Sequence, residues 1–173
     1  MKRIWTLILL SLLACTFTYG FEPTAPDGIT PDGGWSPYGD QGTVVGVIDG
    51  DTIDVMLNGE RVRVRYVGVN TPERDEPCYS DARRANADLV DGKLVTLVKD
   101  VSDEDRFGRL LRYVYVGGVF VNQRLVEQGY AEVVSYPPDT AHFNEFRQIE
   151  QQASAANRGC HATGIFNDNT YER

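Results

Sequence analysis

Thr43-Val44-Val45-Gly46-Val47-Ile48-Asp49-Gly50-Asp51-Thr52-Ile53-Asp54-Val55-Met56-Leu57-Asn58-Gly59-Glu60-Arg61-Val62-Arg63-Val64-Arg65 is the stretch that decides the fold. Residues 43–48 are β-branched and apolar apart from one glycine, and read as a strand that stops at the Asp49-Gly50 turn. Residues 52–57 continue as a second strand. Asn58-Gly59 closes it, because this dipeptide tolerates the left-handed backbone of a two-residue hairpin. Residues 61–65 then alternate strictly, arginine on one face and valine on the other. Three strands joined by two tight turns make a meander.

Outward from the meander, residues 80–91 read as a helix with Ser80 as N-cap, Asp81 in its first turn and Ala82, Ala85 and Leu89 on its packed face. Residues 94–98 and 110–116 are further strands. Residues 121–128 form a short helix that Gly129 stops in the left-handed conformation. Residues 140–157 carry Phe143, Phe146, Ile149 and Ala153 at helical spacing. With no internal repeat, the pattern is α+β, mainly β: a small barrel decorated by helices.

Before the meander, Met1-Lys2-Arg3 and the apolar run of residues 4–14 read as a signal-peptide start, too short for a permanent membrane span. Two processing routes stand side by side. In one, Leu12-Leu13-Ala14-Cys15 acts as a lipobox and a lipidated Cys15 anchors the chain to the membrane; in the other, cleavage falls after Thr18-Tyr19-Gly20. The expected organisation is a leader over residues 1–20, a Pro-, Gly- and Asp-rich tether over 21–42, one domain over 43–166 and a tail over 167–173. The protein is expected to be secreted or held on the outer face of the cell membrane. Either route leaves Cys78 and Cys160, and an exported chain with one such pair favours a disulfide.

The net charge is −8, and residues 43–173 alone keep 15 basic against 21 acidic side chains. Bulk attraction to a polyanion is therefore excluded as a binding principle. Any phosphate affinity has to be local. Thirteen of those 15 cations are arginines, the exceptions being Lys93 and Lys99, and guanidinium suits bidentate phosphate contacts.

Three segments carry the chemistry. Asp49-Gly50-Asp51 sets two carboxylates two residues apart, pointing the same way on an extended chain. Arg65-Tyr66-Val67-Gly68-Val69-Asn70-Thr71-Pro72-Glu73 holds a guanidinium, an amide oxygen and a glutamate. Arg65 and Asn70 reach one site only if the strand bends at Gly68, and Thr71-Pro72 ends the strand and leaves the Thr71 carbonyl available to a cation. Asp105-Arg106-Phe107-Gly108-Arg109 adds two more arginines. Hard oxygen ligands beside guanidinium groups suit a divalent cation holding a phosphodiester. Arg61 and Arg63 read as a solvated face, His142 as a helix-opening surface or capping residue, and His161 as a residue with no evident partner.

In this order the segments resemble the staphylococcal nuclease (thermonuclease) family over residues 43–166, and Val121-Asn122-Gln123-Arg124-Leu125-Val126-Glu127-Gln128-Gly129-Tyr130-Ala131 matches its pattern as well. The resemblance implies a five-stranded OB-type β-barrel with three helices and a Ca²⁺-dependent phosphodiesterase. Its substrate would be DNA or RNA, cut with little sequence preference to give 3′-phosphate products. It implies Asp51, Asn70 and the Thr71 backbone carbonyl as Ca²⁺ ligands, with Asp49 acting indirectly. Glu73 would be the general base, Arg65 and Arg109 would stabilise the transition state, and Arg106 and Tyr136 would contact the substrate. A monomer is expected. Two positions depart from the family pattern: Asn70 stands where an aspartate is usual, and Phe107 where a tyrosine is. The competing expectation is a catalytically silent OB-type module that binds nucleic acid or protein at the cell surface.

Overall fold

A computed structural model describes residues 38–167; the leader, most of the expected tether and the last six residues lie outside the described residues. The elements in chain order are β1 (Asp40–Val47), β2 (Thr52–Leu57), β3 (Glu60–Tyr66), β4 (Val69–Asn70), α1 (Tyr79–Val90), β5 (Leu94–Val98), β6 (Leu110–Val116), β7 (Val119–Phe120), α2 (Val121–Glu127), β8 (Glu132–Val133) and α3 (Phe143–Ala155), followed by a 3₁₀ turn over Gly159–Thr163.

The meander forms as its sequence dictates: β1, β2 and β3 pair antiparallel, with Ile53 opposite both Val47 and Val64. Asn58 (φ 51°) and Gly59 (φ 86°) supply the two positive-φ residues that a strand-matching hairpin turn requires. β5 adds antiparallel to the other edge of β1, and β6 adds to β5. β6 then closes on β3 in parallel, Val64 opposite Leu110, so that five strands form a closed OB-type barrel. β1 begins at Asp40, three residues before the sequence places it, because residues 40–43 pair with residues 94–97 of β5. The last residues assigned to the tether are thus part of the barrel.

Valine dominates the interior. Val44, Val55, Val64, Val95 and Val114 are sealed from solvent together with Ile53, Leu97 and Tyr66, each such side chain contributing about 1.5–3 kcal/mol by leaving water. Three helices cover the barrel. The N-cap of α1 is Cys78 (φ 71°), not Ser80: the Cys78 carbonyl accepts the first helical N–H groups, from Asp81 and Ala82, which puts Ser80 inside the first turn. Its buried face is Ala82, Asn86 and Val90, with Ala85 and Leu89 half-buried beside it. α2 buries Val121, Leu125 and Val126 and ends before Gly129 (φ 79°). α3 starts at Phe143, after a single turn in which the Phe143 N–H donates to the Thr140 carbonyl, and buries Phe146 and Ala153. Cys78 is bonded to Cys160 across 82 residues, which ties the start of α1 to the segment after α3.

Candidate active site

The β1–β2 turn is built round its carboxylates. Asp49 Oδ1 accepts the Asp51 N–H at 3.0 Å, folding the turn back on itself. Asp51 is buried. Its Oδ2 accepts the Thr71 N–H (2.8 Å) and hydroxyl (2.9 Å), while its Oδ1 faces the Thr52 hydroxyl and Arg65 Nη1, the latter at 3.1 Å. Glycine is required between the two acids because a Cβ on Gly50 would lie 2.7 Å from the Thr71 side chain. Burial, with the Asp51 carboxylate beside it, pushes the Asp49 carboxyl up to about 6.

Arg65 and Asn70 meet as the bend at Gly68 (φ 76°) allows. Arg65 Nη1 donates to the Tyr66 and Val69 carbonyls (2.9 and 2.8 Å), and Nη2 donates to Asn70 Oδ1 at 3.2 Å. One guanidinium thereby joins the carboxylate turn to the amide. Glu73 follows in an exposed loop.

A cleft of ≈ 580 Å³ opens on the outer side of Arg65. Arg65, Glu73, Arg106, Phe107, Arg109 and Tyr136 line it. The Asp105 carboxylate arranges its far wall: Oδ1 accepts the Phe107 and Arg109 N–H groups, and Oδ2 accepts Arg109 Nε at 2.6 Å. Burial works against ionisation of Asp105, but the Arg109 N–H and guanidinium hold its carboxyl below the usual range. Arg106 lies over the exposed Phe107 ring at 4.7 Å. The residues expected to act on substrate therefore share one cleft. Asp49, Asp51, Asn70 and Thr71 do not line it; Asp51 and Asn70 touch Arg65, which does.

Several supports escaped sequence reasoning. Asn86 on α1 is buried, donates to the Asp49 carbonyl at 2.9 Å and accepts the Tyr66 hydroxyl, while Arg83 on the same helix donates to the Val47 and Ile48 carbonyls. Asn122 on α2 accepts the Val114 N–H and donates to the Val67 carbonyl, holding the bend before Gly68. Glu132 on β8 is buried and accepts Asn70 Nδ2 at 2.9 Å across the β4–β8 pair. Glu150 on α3 accepts the Val133 N–H and so pins β8 in turn. A buried polar residue on a helix whose neighbours are apolar was the available signal for Asn86 and Asn122. Nothing local marks Glu132, whose partner is 62 residues away.

Three side-chain environments differ from expectation. Arg61 and Arg63 are not merely solvated: both donate to the buried carboxylate of Asp54, at 2.6 and 2.8 Å. His142 does open α3, as its N-cap residue, but its ring is also packed among Tyr113, Phe120 and Phe146 and pairs with Glu145 at 3.0 Å. His161 is buried, with the Phe166 ring against it, and burial lowers its pKa.

Among the described residues no three His, Cys, Asp or Glu side chains gather as a metal cluster. The β1–β2 turn and the end of β4 instead carry an oxygen-rich set: the Asp49 and Asp51 carboxylates and Asn70 Oδ1, with Thr71 bonded to Asp51 through its N–H and hydroxyl. Asp51 and Arg65 draw these groups together, and burial, with repulsion from Asp51 second, already raises Asp49. A hard divalent cation fits that donor set and would relieve the repulsion.

The family model described as "Staphylococcal nuclease homologue" matches residues 63–162. Endonuclease YncB of Bacillus subtilis (strain 168) is 42% identical over 116 residues, covering 62% of this chain and 55% of that protein. The SPbeta prophage-derived endonuclease YokF of the same organism is 40% identical over 116 residues, covering 62% of this chain and 39% of the relative. The chain thus matches about half the length of the first of these relatives and about two fifths of the second. The thermonuclease of Staphylococcus intermedius is 30% identical over 159 residues, 88% of this chain and 94% of that protein. With the family model reaching from Arg63 on β3 to the residues just after Cys160, and with the barrel, the carboxylate turn and the arginine cleft all within the described residues, the chain belongs to the staphylococcal nuclease family.

Proposed function

We propose that the chain is a nuclease that hydrolyses the phosphodiester backbone of DNA or RNA, with Ca²⁺ as its cofactor and little preference for base sequence. The observation that carries this reading is the convergence of Arg65, Glu73 and Arg109 on one cleft, with Arg65 paired to Asp51 of the carboxylate turn. The relatives named as nucleases support it.

Arg65 and Arg109 bind the scissile phosphate from two sides of the cleft and neutralise the charge that builds on its oxygens. Both are held for that task, Arg65 by Asp51 and Arg109 by Asp105, so little side-chain freedom is lost on binding. Glu73 takes a proton from the attacking water as the new P–O bond forms. The bond to the 5′ oxygen breaks, that oxygen is protonated from solvent, and the 3′-phosphate stays on the other product. Asp51, Asn70 Oδ1 and the Thr71 carbonyl, with Asp49 nearby, would hold Ca²⁺, which would supply Lewis-acid polarisation of the phosphoryl oxygens. Arg106 and Tyr136 hold the flanking nucleotide, Tyr136 by stacking on a base. The Cys78–Cys160 disulfide supports an exported location, secreted or on the outer face of the membrane.

A silent binding module remains the second reading because the Arg65 guanidinium is already engaged within the protein, by the Tyr66 and Val69 carbonyls, Asn70 and Asp51. The deciding experiment is release of acid-soluble nucleotides from single-stranded DNA by the purified protein, with Ca²⁺ or with EGTA, beside Glu73→Gln. The expected result is cleavage that requires Ca²⁺ and falls at least about a hundredfold in the variant. Wild-type protein that is inert with Ca²⁺, Mg²⁺ and Mn²⁺ alike would leave the binding module as the function.

A further inference from the structure

We propose that Arg61, Arg63 and Phe107 form a second substrate subsite, which continues the active-site cleft along β3 and takes the backbone of a single-stranded nucleic acid beyond the scissile phosphate. The proposal rests on the nuclease reading and specifies where the rest of the substrate lies.

A second hollow of ≈ 430 Å³ is lined by Asp54, Arg61, Arg63, Phe107, Gly108 and Arg109. It shares Phe107 and Arg109 with the catalytic cleft, so the two are continuous around the Phe107 ring. Arg61, Arg63 and Arg65 occupy alternate positions of β3. A strand rises about 3.3 Å per residue, which sets their backbones about 7 Å apart, a step comparable with that between phosphates of an extended single strand. Arg65 lies in the catalytic cleft, so Arg63 and Arg61 fall one and two steps along.

Charge points the same way. The Asp54 side chain is 3% exposed, whereas those of Arg61 and Arg63 are 60% and 49% exposed. The carboxylate is thus a buried anchor, and the guanidiniums are displayed to solvent above it. One arginine is enough to neutralise Asp54. The other leaves a surplus positive charge beside Arg109, on a chain whose net charge is −8. Phe107 is 68% exposed, with the Arg106 and Arg109 guanidiniums at 4.7 and 5.5 Å from its ring centre. An exposed aromatic ring between cations suits a nucleobase between phosphates.

The test is fluorescence anisotropy of a labelled single-stranded oligonucleotide of about 12 nucleotides, within the usual reach of one OB-type fold. Salt is titrated in the presence of Ca²⁺ with Glu73→Gln as the background, so that substrate is held and not cut. Adding Arg61→Gln, Arg63→Gln and Asp54→Asn together removes both cations without stranding a buried charge. The expected result is binding weaker by about tenfold or more, with a salt slope shallower by about 0.7, for the one phosphate that the surplus positive charge no longer neutralises. Asp54→Asn alone frees the two guanidiniums and should tighten binding. Arg61→Gln alone, which leaves Arg63 neutralising Asp54, removes the same surplus charge, gives the same slope change and serves where the triple variant does not fold. An unchanged slope in the triple or in Arg61→Gln, weaker binding in Asp54→Asn, or no oligonucleotide binding by the background protein overturns the subsite. Wild-type protein that binds through these arginines yet cuts nothing refutes the nuclease reading and leaves the subsite standing. Cleavage with an insensitive slope does the reverse.

Discussion

Replacing Asn70 by aspartate, the acid usual in the family pattern, should damage this protein. Asn70 Nδ2 donates to Glu132 Oε1 at 2.9 Å, and Glu132 is buried. The substitution sets two carboxylate oxygens at that distance with no proton between them. With both ionised at an effective dielectric of about 20, the repulsion is about 6 kcal/mol. The protein can escape part of this by keeping one acid protonated, which at pH 7 costs about 4 kcal/mol for an aspartate of ordinary pKa. Arg65, already on the Asn70 side chain, offsets about another 1 kcal/mol. The expected loss is therefore about 3 kcal/mol in urea denaturation at pH 7 with EGTA present. Adding Glu132→Gln reverses the polarity of the pair: the introduced amide then donates to the introduced carboxylate, and net charge and atom count match the wild type. The double variant should recover to within about 1 kcal/mol, a coupling of at least about 2 kcal/mol. It also moves a full negative charge onto the side chain proposed to face the cation, and Ca²⁺ should bind about tenfold more tightly than to wild type. Asn70→Asp as stable as wild type, or unrescued by Glu132→Gln, would refute the reasoning.

Asp49, raised to about 6, must lose its proton for a cation to sit beside it; Ca²⁺ affinity measured by calorimetry should fall as pH drops from 7 to 5, and Asp49→Asn should flatten that dependence while weakening binding at pH 7. Burial pushes the Glu150 carboxyl from its ordinary 4.5 up to about 7, so its stabilising protonated form is fully present below pH 4.5 and lost as pH rises through 7. Glu150→Gln keeps the acceptor for the Val133 N–H, and should raise stability at pH 8 by about 2 kcal/mol, discounted for screening, with little change at pH 4; equal melting shifts at both pH values would contradict it. Cys78→Ser with Cys160→Ser opens a constraint spanning 82 residues, and should cost about 4 kcal/mol in chemical denaturation; an unchanged midpoint would exclude that role.

The barrel was legible because its strands announce themselves locally. Strict alternation over residues 61–65, the Asn58-Gly59 hairpin and the Gly129 stop each act within a few residues, and each lies where the sequence places it. The ends of elements were less legible, because distant partners decide them. β1 starts at Asp40 since β5 offers a mate for it, and α1 starts from Cys78, whose carbonyl accepts its first N–H groups and whose sulfur is bonded to Cys160. The same distinction runs through the site. Arg65, Glu73, Arg106, Arg109 and Tyr136 were named from short motifs, and they share a cleft. Glu132, Asn86 and Asp54 act through pairings that no motif records. Arg61 and Arg63 show where alternation alone falls short: period two tells which face a side chain takes, not what waits on that face.

One device recurs among those long-range pairings. The guanidinium of Arg65 rests on Asp51, that of Arg109 on Asp105, and those of Arg61 and Arg63 on Asp54, and in every case the aspartate side chain is at most 6% exposed. Such anchoring fixes the arginine before substrate arrives, so little rotamer entropy remains to be lost on binding phosphate. It also cancels charge. Arg65 with Asp51 and Arg109 with Asp105 are each neutral as pairs, and Asp49 adds a negative charge when ionised. The proposed active site therefore has well-placed donors and no strong field of its own, on a chain whose net charge is −8. A polyanion is drawn in only when a bound cation, or the surplus guanidinium over Asp54, tips the local balance to positive. On this reasoning substrate affinity depends on the metal as much as catalysis does, and the Glu73→Gln protein should lose most of its oligonucleotide binding when Ca²⁺ is replaced by EGTA.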